Sequence, residues 1–134
     1  MDDCIFCKIV RGEIKSWKVY EDEYAYALLD INPLTKYHTL VIPKKHFENI
    51  FDIPKDEYVN LMSAVKKIVD MYAEKLNIKN LQIFNNNGVE GQQDVFHLHY
   101  HIVPRSYGDG QDIKWTTHSE WRDEFDDMLK RLNG

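Results

Sequence analysis

Apolar positions change period along this chain, and each change marks an element. Residues Trp17-Lys18-Val19-Tyr20 and Tyr24-Ala25-Tyr26-Ala27-Leu28-Leu29 are short apolar-rich runs either side of Glu21-Asp22-Glu23. They predict two strands joined by an acidic turn. Asn32-Pro33 breaks the chain, and His38-Thr39-Leu40-Val41-Ile42 predicts a third strand closed by Pro43. The period then becomes helical. Tyr58, Leu61, Met62, Val65, Ile68, Val69, Tyr72 and Leu76 share one helical face, and Pro54 stands where a helix starts. Leu81-Gln82-Ile83-Phe84 returns to strand, Asn85-Asn86-Asn87-Gly88 signals a turn, and polar residues extend that loop to Asp94. Val95 to Val103 predicts the last strand, ended by Pro104. Ile5 to Val10 predicts a helical turn, and Ser119 a helix cap with Glu120, Asp123 and Glu124 in the first turn. Strands before and after one long central helix predict an α+β fold: a mainly antiparallel five-stranded sheet with short terminal helices.

The last strand carries the chemistry. His97, His99 and His101 alternate with Leu98, Tyr100 and Ile102. On a strand, alternate residues share a face, so three imidazoles line one side at intervals of about 6–7 Å. Leu98, Tyr100, Ile102 and flanking Phe96 are expected mostly to face the core. A merely polar outer face would be served as well by lysine or threonine. Imidazole titrates near neutrality and can act as a neutral nucleophile or a cationic donor.

Length and composition narrow the reading. The 134 residues, 43% hydrophobic and 29% charged, suit one globular domain spanning 1–134. A net charge of −5 argues against a nucleic-acid surface. Met1-Asp2-Asp3 opens acidic where a secretory leader would open basic, and no apolar run approaches a membrane span. Two cysteines make no disulfide framework, so a cytoplasmic location is expected, with neither nucleic acid nor membrane as partner.

Cys4-Ile5-Phe6-Cys7 is a C-x2-C pair, which fits zinc, redox chemistry or buried thiols. Tetrahedral zinc needs two further ligands, and His46 and His97 are available. A redox pair is expected to follow a strand, and nothing before Cys4 supplies one.

In combination these blocks resemble the histidine triad superfamily of nucleotide hydrolases and transferases. The resemblance rests on Cys4-Ile5-Phe6-Cys7-Lys8-Ile9, Leu29-Asp30-Ile31, His38 to His46, Asn85-Asn86-Asn87-Gly88, and Val95 to Arg105. It is similar to the nucleotide-binding branch, in the bacterial zinc-containing form. The resemblance implies the histidine-triad fold in a twofold homodimer, and attack on a nucleotide α-phosphate by His99. His99 would be transiently nucleotidylated, and water would release the nucleoside monophosphate. It further implies that His101 hydrogen-bonds the phosphate, that His38 is a fourth active-site histidine, and that His97 joins Cys4, Cys7 and His46 as a ligand of structural zinc. By the same alignment Asp30 binds the ribose hydroxyls, and Phe6, Ile9, Leu28 and Ile31 form the base slot, although all four equally suit a core. Asn86 and Gln93 are expected to aim amides at the phosphate or leaving group.

One block departs from the pattern. The family usually has Gly-Gln-Ser where Gln92-Gln93-Asp94 stands. The missing glycine bears on how closely the loop approaches phosphate, and Asp94 puts a carboxylate in place of a hydroxyl donor. The expected activity is hydrolysis of a purine nucleoside phosphoramidate. The alternatives are a dinucleoside polyphosphate hydrolase and a nucleotide-binding adaptor with weak catalysis.

Overall fold

A computed structural model describes residues 3–134. Met1 and Asp2, part of the acidic opening, lie outside the described residues. The elements run α1 (Ile5–Val10), β1 (Lys18–Glu21), β2 (Ala25–Leu29), β3 (Thr39–Pro43), α2 (Lys55–Leu76), β4 (Leu81–Phe84), β5 (Tyr100–Pro104), a 3-10 turn (Ser119–Glu124) and α3 (Phe125–Asn133). The strand order is β1-β2-β3-β5-β4, and all four pairings are antiparallel. The α+β expectation and the five strands are therefore seen directly.

Helix α2 covers one face of the sheet. Its Leu61, Ala64, Val65, Ile68 and Tyr72 pack with Ala25, Ala27, Val41, Tyr100 and Ile102. Small alanines on β2 let the helix lie close, while the opposite face of the same strands presents Tyr26, Leu28, Leu40 and Ile42 to Phe6 and Ile9 of α1. Because both faces of β2 and β3 are buried, these strands read as apolar runs rather than alternating ones. The helix ends at Asn77, which takes the left-handed conformation (φ 54°).

Two expectations need correction. The last ladder strand begins at Tyr100, not Val95. Residues 95–99 are held instead by loop partners: the Leu98 N–H donates to the Phe47 carbonyl at 2.7 Å. Phe96, expected mostly to face the core, is 39% exposed. At the C-terminus Ser119 does not cap an α-helix. It opens the 3-10 turn, and α3 begins only at Phe125. Among the described residues, no helix is long and apolar enough to cross a membrane.

Candidate active site and metal centre

The sheet positions one histidine by register. His101 on β5 pairs with Leu40 on β3 and Phe84 on β4. The Phe84 ring stacks on His101 with centroids 4.3 Å apart. His99 and His97 follow upstream, both buried. Phe6 from α1 meets His99 edge-on at 5.2 Å and His97 at 5.7 Å. Asn85, which sequence reasoning treated only as a turn residue, donates its Nδ2 to the His99 carbonyl at 2.9 Å. Its position directly after β4 was the one signal available.

Backbone partners dictate where each ring proton sits. The Leu34 N–H donates to Nδ1 of His38 at 3.0 Å, so the proton of neutral His38 is on Nε2. That Nε2–H donates to Nδ1 of His101 at 2.9 Å, which leaves the His101 proton on Nε2. For His99, Nδ1 lies 2.8 Å from the His97 carbonyl, which can only accept. The His99 proton is therefore on Nδ1, and the lone pair is on Nε2. Burial, followed by the neighbouring His99 and His38, lowers His101 to about 4. Burial also lowers His38, opposed by the Asp30 carboxylate. Both rings are accordingly neutral near pH 7.

The His99 and His101 rings open on a cleft of about 220 Å³. Phe6, Ile9 and Leu28 form an apolar floor that is also part of the core, and Ile31 stands exposed at the rim. Asp30 lines the cleft too; its Oδ1 accepts from the Asn32 N–H at 2.8 Å, and its Oδ2 lies 3.5 Å from His38 Nε2. Asp94 lines the histidine end, with Oδ1 3.5 Å from His99 Nε2. Trp17 and Leu40 line the cleft as well, though their sequence positions suggested only strand.

Asn86 and Gln93 are placed elsewhere. The Gln93 side chain is buried in its own loop: Oε1 accepts from the Gly88 N–H at 2.9 Å, and Nε2 donates to the carbonyls of Glu48 (2.7 Å) and Val95 (3.0 Å). Asn86 Nδ2 reaches the Gln92 carbonyl at 3.5 Å. Neither is among the residues lining the cleft.

Cys4, Cys7, His46 and His97 converge so that their ligand atoms all lie within 4.8 Å of one another. Cys4 caps α1, accepting the Cys7 N–H on Sγ, so one helical turn presents both thiols to the same point. Nδ1 of His97 is 3.4 Å from Cys4 Sγ and 3.5 Å from Cys7 Sγ, and Nδ1 of His46 is 3.4 Å from Cys7 Sγ. Tetrahedral zinc with ordinary Zn–S and Zn–N lengths requires S···N edges of about 3.6 Å. The His97 Nε2–H donates to the Pro43 carbonyl at 2.8 Å, which turns the Nδ1 lone pair toward the thiols. Burial lowers His97 to about 4, keeping it in the neutral, ligating form. Burial, then the adjacent Cys4 thiol, push Cys7 up to about 11, so two thiolates here call for a cation between them. The donor set fits a divalent metal.

Comparison with known proteins agrees with this arrangement. The HIT domain family matches residues 11–108. An uncharacterised HIT-like protein of Methanocaldococcus jannaschii is 47% identical, covering 98% of this chain and 99% of its own. The adenosine 5'-monophosphoramidase of Saccharomyces cerevisiae is 35% identical over 96% of this chain and 80% of its own. A crystal structure of a HIT family protein from Bacillus anthracis superposes with a TM-score of 0.89 at 38% identity, covering 98% and 96% of the two chains. A zinc-bound histidine triad protein from Mycobacterium smegmatis superposes with a TM-score of 0.77 at 34% identity, covering 98% and 96%.

Proposed function

This chain belongs to the HIT domain family, and from that premise we propose that it hydrolyses nucleotide conjugates at the α-phosphate, with purine nucleoside phosphoramidates as the substrate class. The observation that carries the reading is the His99 ring. The His97 carbonyl at 2.8 Å fixes the proton of the neutral ring on Nδ1, so that ring's lone pair is on Nε2, at the cleft. An apolar floor for a flat base and the Asp30 carboxylate for a ribose diol stand in the same cleft.

In this mechanism Nε2 of His99 attacks phosphorus, and the bond from phosphorus to the leaving group breaks. The developing positive charge on the imidazole is stabilised by the His97 carbonyl that accepts its Nδ1 proton. The departing nitrogen takes a proton from solvent at the mouth of the cleft, while the Nε2–H of neutral His101, whose Nδ1 accepts from His38, donates a hydrogen bond to the phosphate. Water then attacks phosphorus, the bond to His99 Nε2 breaks, the water's surplus proton passes to solvent, and the nucleoside monophosphate is released. Asp30 orients the ribose. Asn85 fixes the His99 backbone.

We assign Cys4, Cys7, His46 and His97 to a structural zinc ion, which supplies cross-linking of α1 to the loop after β3 and to the histidine segment. The zinc-bound relative supports this assignment. The monophosphoramidase relative supports adenosine and a phosphorus–nitrogen bond. The large apolar side chains that α3 leaves exposed, Leu129 and Leu132, support a homodimer. A cytoplasmic setting is consistent with two free thiols.

The test is to mix protein with an adenosine 5'-phosphoramidate, quench, and map adenylylated peptides by mass spectrometry. The adduct is expected on His99, and His99→Asn is expected to lower kcat by about a thousandfold or more while still binding adenosine monophosphate. A variant that retains turnover rules out this nucleophile. Parallel assay of a dinucleoside tetraphosphate separates the phosphoramidate reading from polyphosphate hydrolysis.

A further inference from the structure

The histidine end of the cleft carries a carboxylate. Asp94 Oδ1 accepts the Val95 N–H at 2.9 Å, which anchors the carboxylate at the start of the histidine segment. From there it lies 3.5 Å from His99 Nε2. Its side chain is 80% exposed, so it faces the mouth of the site rather than the core. The charged side chains lining the cleft, among the described residues and histidine aside, are Lys15, Asp30 and Asp94. Lys15 sits over the Trp17 ring at 5.1 Å. Among the described residues no arginine lines the cleft. A carboxylate, not a cation, stands 3.5 Å from the attacking nitrogen.

An incoming group that adds negative charge beyond the α-phosphate meets like charge at Asp94. A positively charged group there forms an ion pair, while the cleft's other carboxylate, Asp30, is engaged by the Asn32 N–H and stands beside His38. We propose that Asp94 selects substrates whose leaving group is an amine carrying a further cationic centre two carbons beyond the scissile nitrogen, and that it disfavours anionic leaving groups. The inference rests on the hydrolase reading and names the substrate class of that same site.

The chemical step balances as before. The bond from His99 Nε2 to phosphorus forms while the phosphorus–nitrogen bond breaks. The scissile nitrogen keeps the bonding pair and takes a proton from solvent at the mouth of the cleft, leaving as an amine. The second cationic centre takes no part in bond making. It pairs with Asp94 and places the leaving nitrogen in line with the attacking ring. Water then attacks the phosphorus of the nucleotidyl-histidine, the bond to His99 Nε2 breaks, and the water's surplus proton passes to solvent. Because Asp94 is exposed, its contribution is screened by salt.

The test uses three adenosine 5'-phosphoramidates of matched length, made from ethylenediamine, propylamine and β-alanine. Their leaving groups end in a cation, a methyl group and an anion. kcat/KM is measured for the full-length parent, Asp94→Asn and Asp94→Ser at low and at 0.5 M salt. Asparagine keeps an oxygen for the Val95 N–H and removes only the charge. The parent is expected to favour the cationic over the anionic substrate by at least tenfold at low salt. Both variants, and high salt, are expected to bring that ratio close to one. A parent ratio near one, or a ratio that Asp94→Asn leaves unmoved while all three substrates turn over, overturns the inference alone. Failure of the parent to cleave any of the three overturns the hydrolase reading and the inference with it.

Discussion

The order of donors and acceptors around His38, His101 and His99 is set by two backbone groups, the Leu34 N–H and the His97 carbonyl. A peptide group cannot change tautomer, so each ring inherits one proton position from a rigid neighbour. Depressing the basicity of His101 has a stability consequence. Its folded value is about 4 and its ordinary value 6.5, with burial the main cause. Between those two pH values the unfolded chain binds the proton more readily, so stability rises with pH across that window. The contribution is complete above about pH 6.5 and is lost as pH falls toward 4. We expect urea unfolding of the parent to lose on the order of 2 kcal/mol more stability than His101→Gln between pH 7.5 and pH 4.5. Equal losses in the two proteins would mean that this ring is not held neutral by the fold.

At the scale of elements, the loop between β4 and the histidine segment shows how backbone geometry is bought from residues poorly suited to it. Gln92, standing where the family usually has glycine, adopts φ 66°. A left-handed conformation costs a non-glycine residue roughly 1–2 kcal/mol. The neighbouring Gly91 has ordinary φ but no room: a Cβ there would lie 2.4 Å from the Asn87 carbonyl oxygen. Around both, Gln93 ties the loop to Gly88, Glu48 and Val95. Gln92→Gly is therefore expected to stabilise the protein by about 0.5–1 kcal/mol, after the larger unfolded-state entropy of glycine is set against relieved strain. Gly91→Ala is expected to destabilise it by roughly 1–3 kcal/mol, since only backbone can move aside. Chemical denaturation midpoints read both, and the same sign for the two substitutions would contradict this account of the loop.

At the scale of the molecule, α1 is too short to hold itself against the sheet. Its six residues bury Phe6, Cys7 and Ile9, and those contacts form the cleft floor. A metal bound to Cys4, Cys7, His46 and His97 would tie α1 to two distant segments at once. Removing it should loosen the floor as well as the fold. With metal at a hundredfold excess over its Kd, linkage supplies about 2.7 kcal/mol, or roughly 5–10 °C in Tm. Thermal unfolding with and without a chelator is expected to show that drop in the parent and none in Cys4→Ser. Adenosine monophosphate affinity should fall in parallel. A chelator-insensitive Tm in a protein that co-purifies with zinc would show that the ion is not structural.

Much of this was legible in the residue pattern because it depends on local chain geometry. The helical period from Tyr58 to Leu76 demands one long helix, and of the three alternating histidines His99 and His101 share the cleft, while His97, upstream of the ladder, turns to the thiols. The C-x2-C spacing places both thiols on one turn of helix. The tertiary structure alone decided which atoms meet. The ladder starts at Tyr100 because Leu98 bonds Phe47 across a loop, and the Gln93 amide is consumed by Gly88, Glu48 and Val95. Ring protons are assigned by backbone groups whose direction the fold sets, near in sequence for His38 and His99 and distant for His97. Periodicity reports which way a side chain points. It carries no record of the partner waiting there, because that partner is brought in by folding.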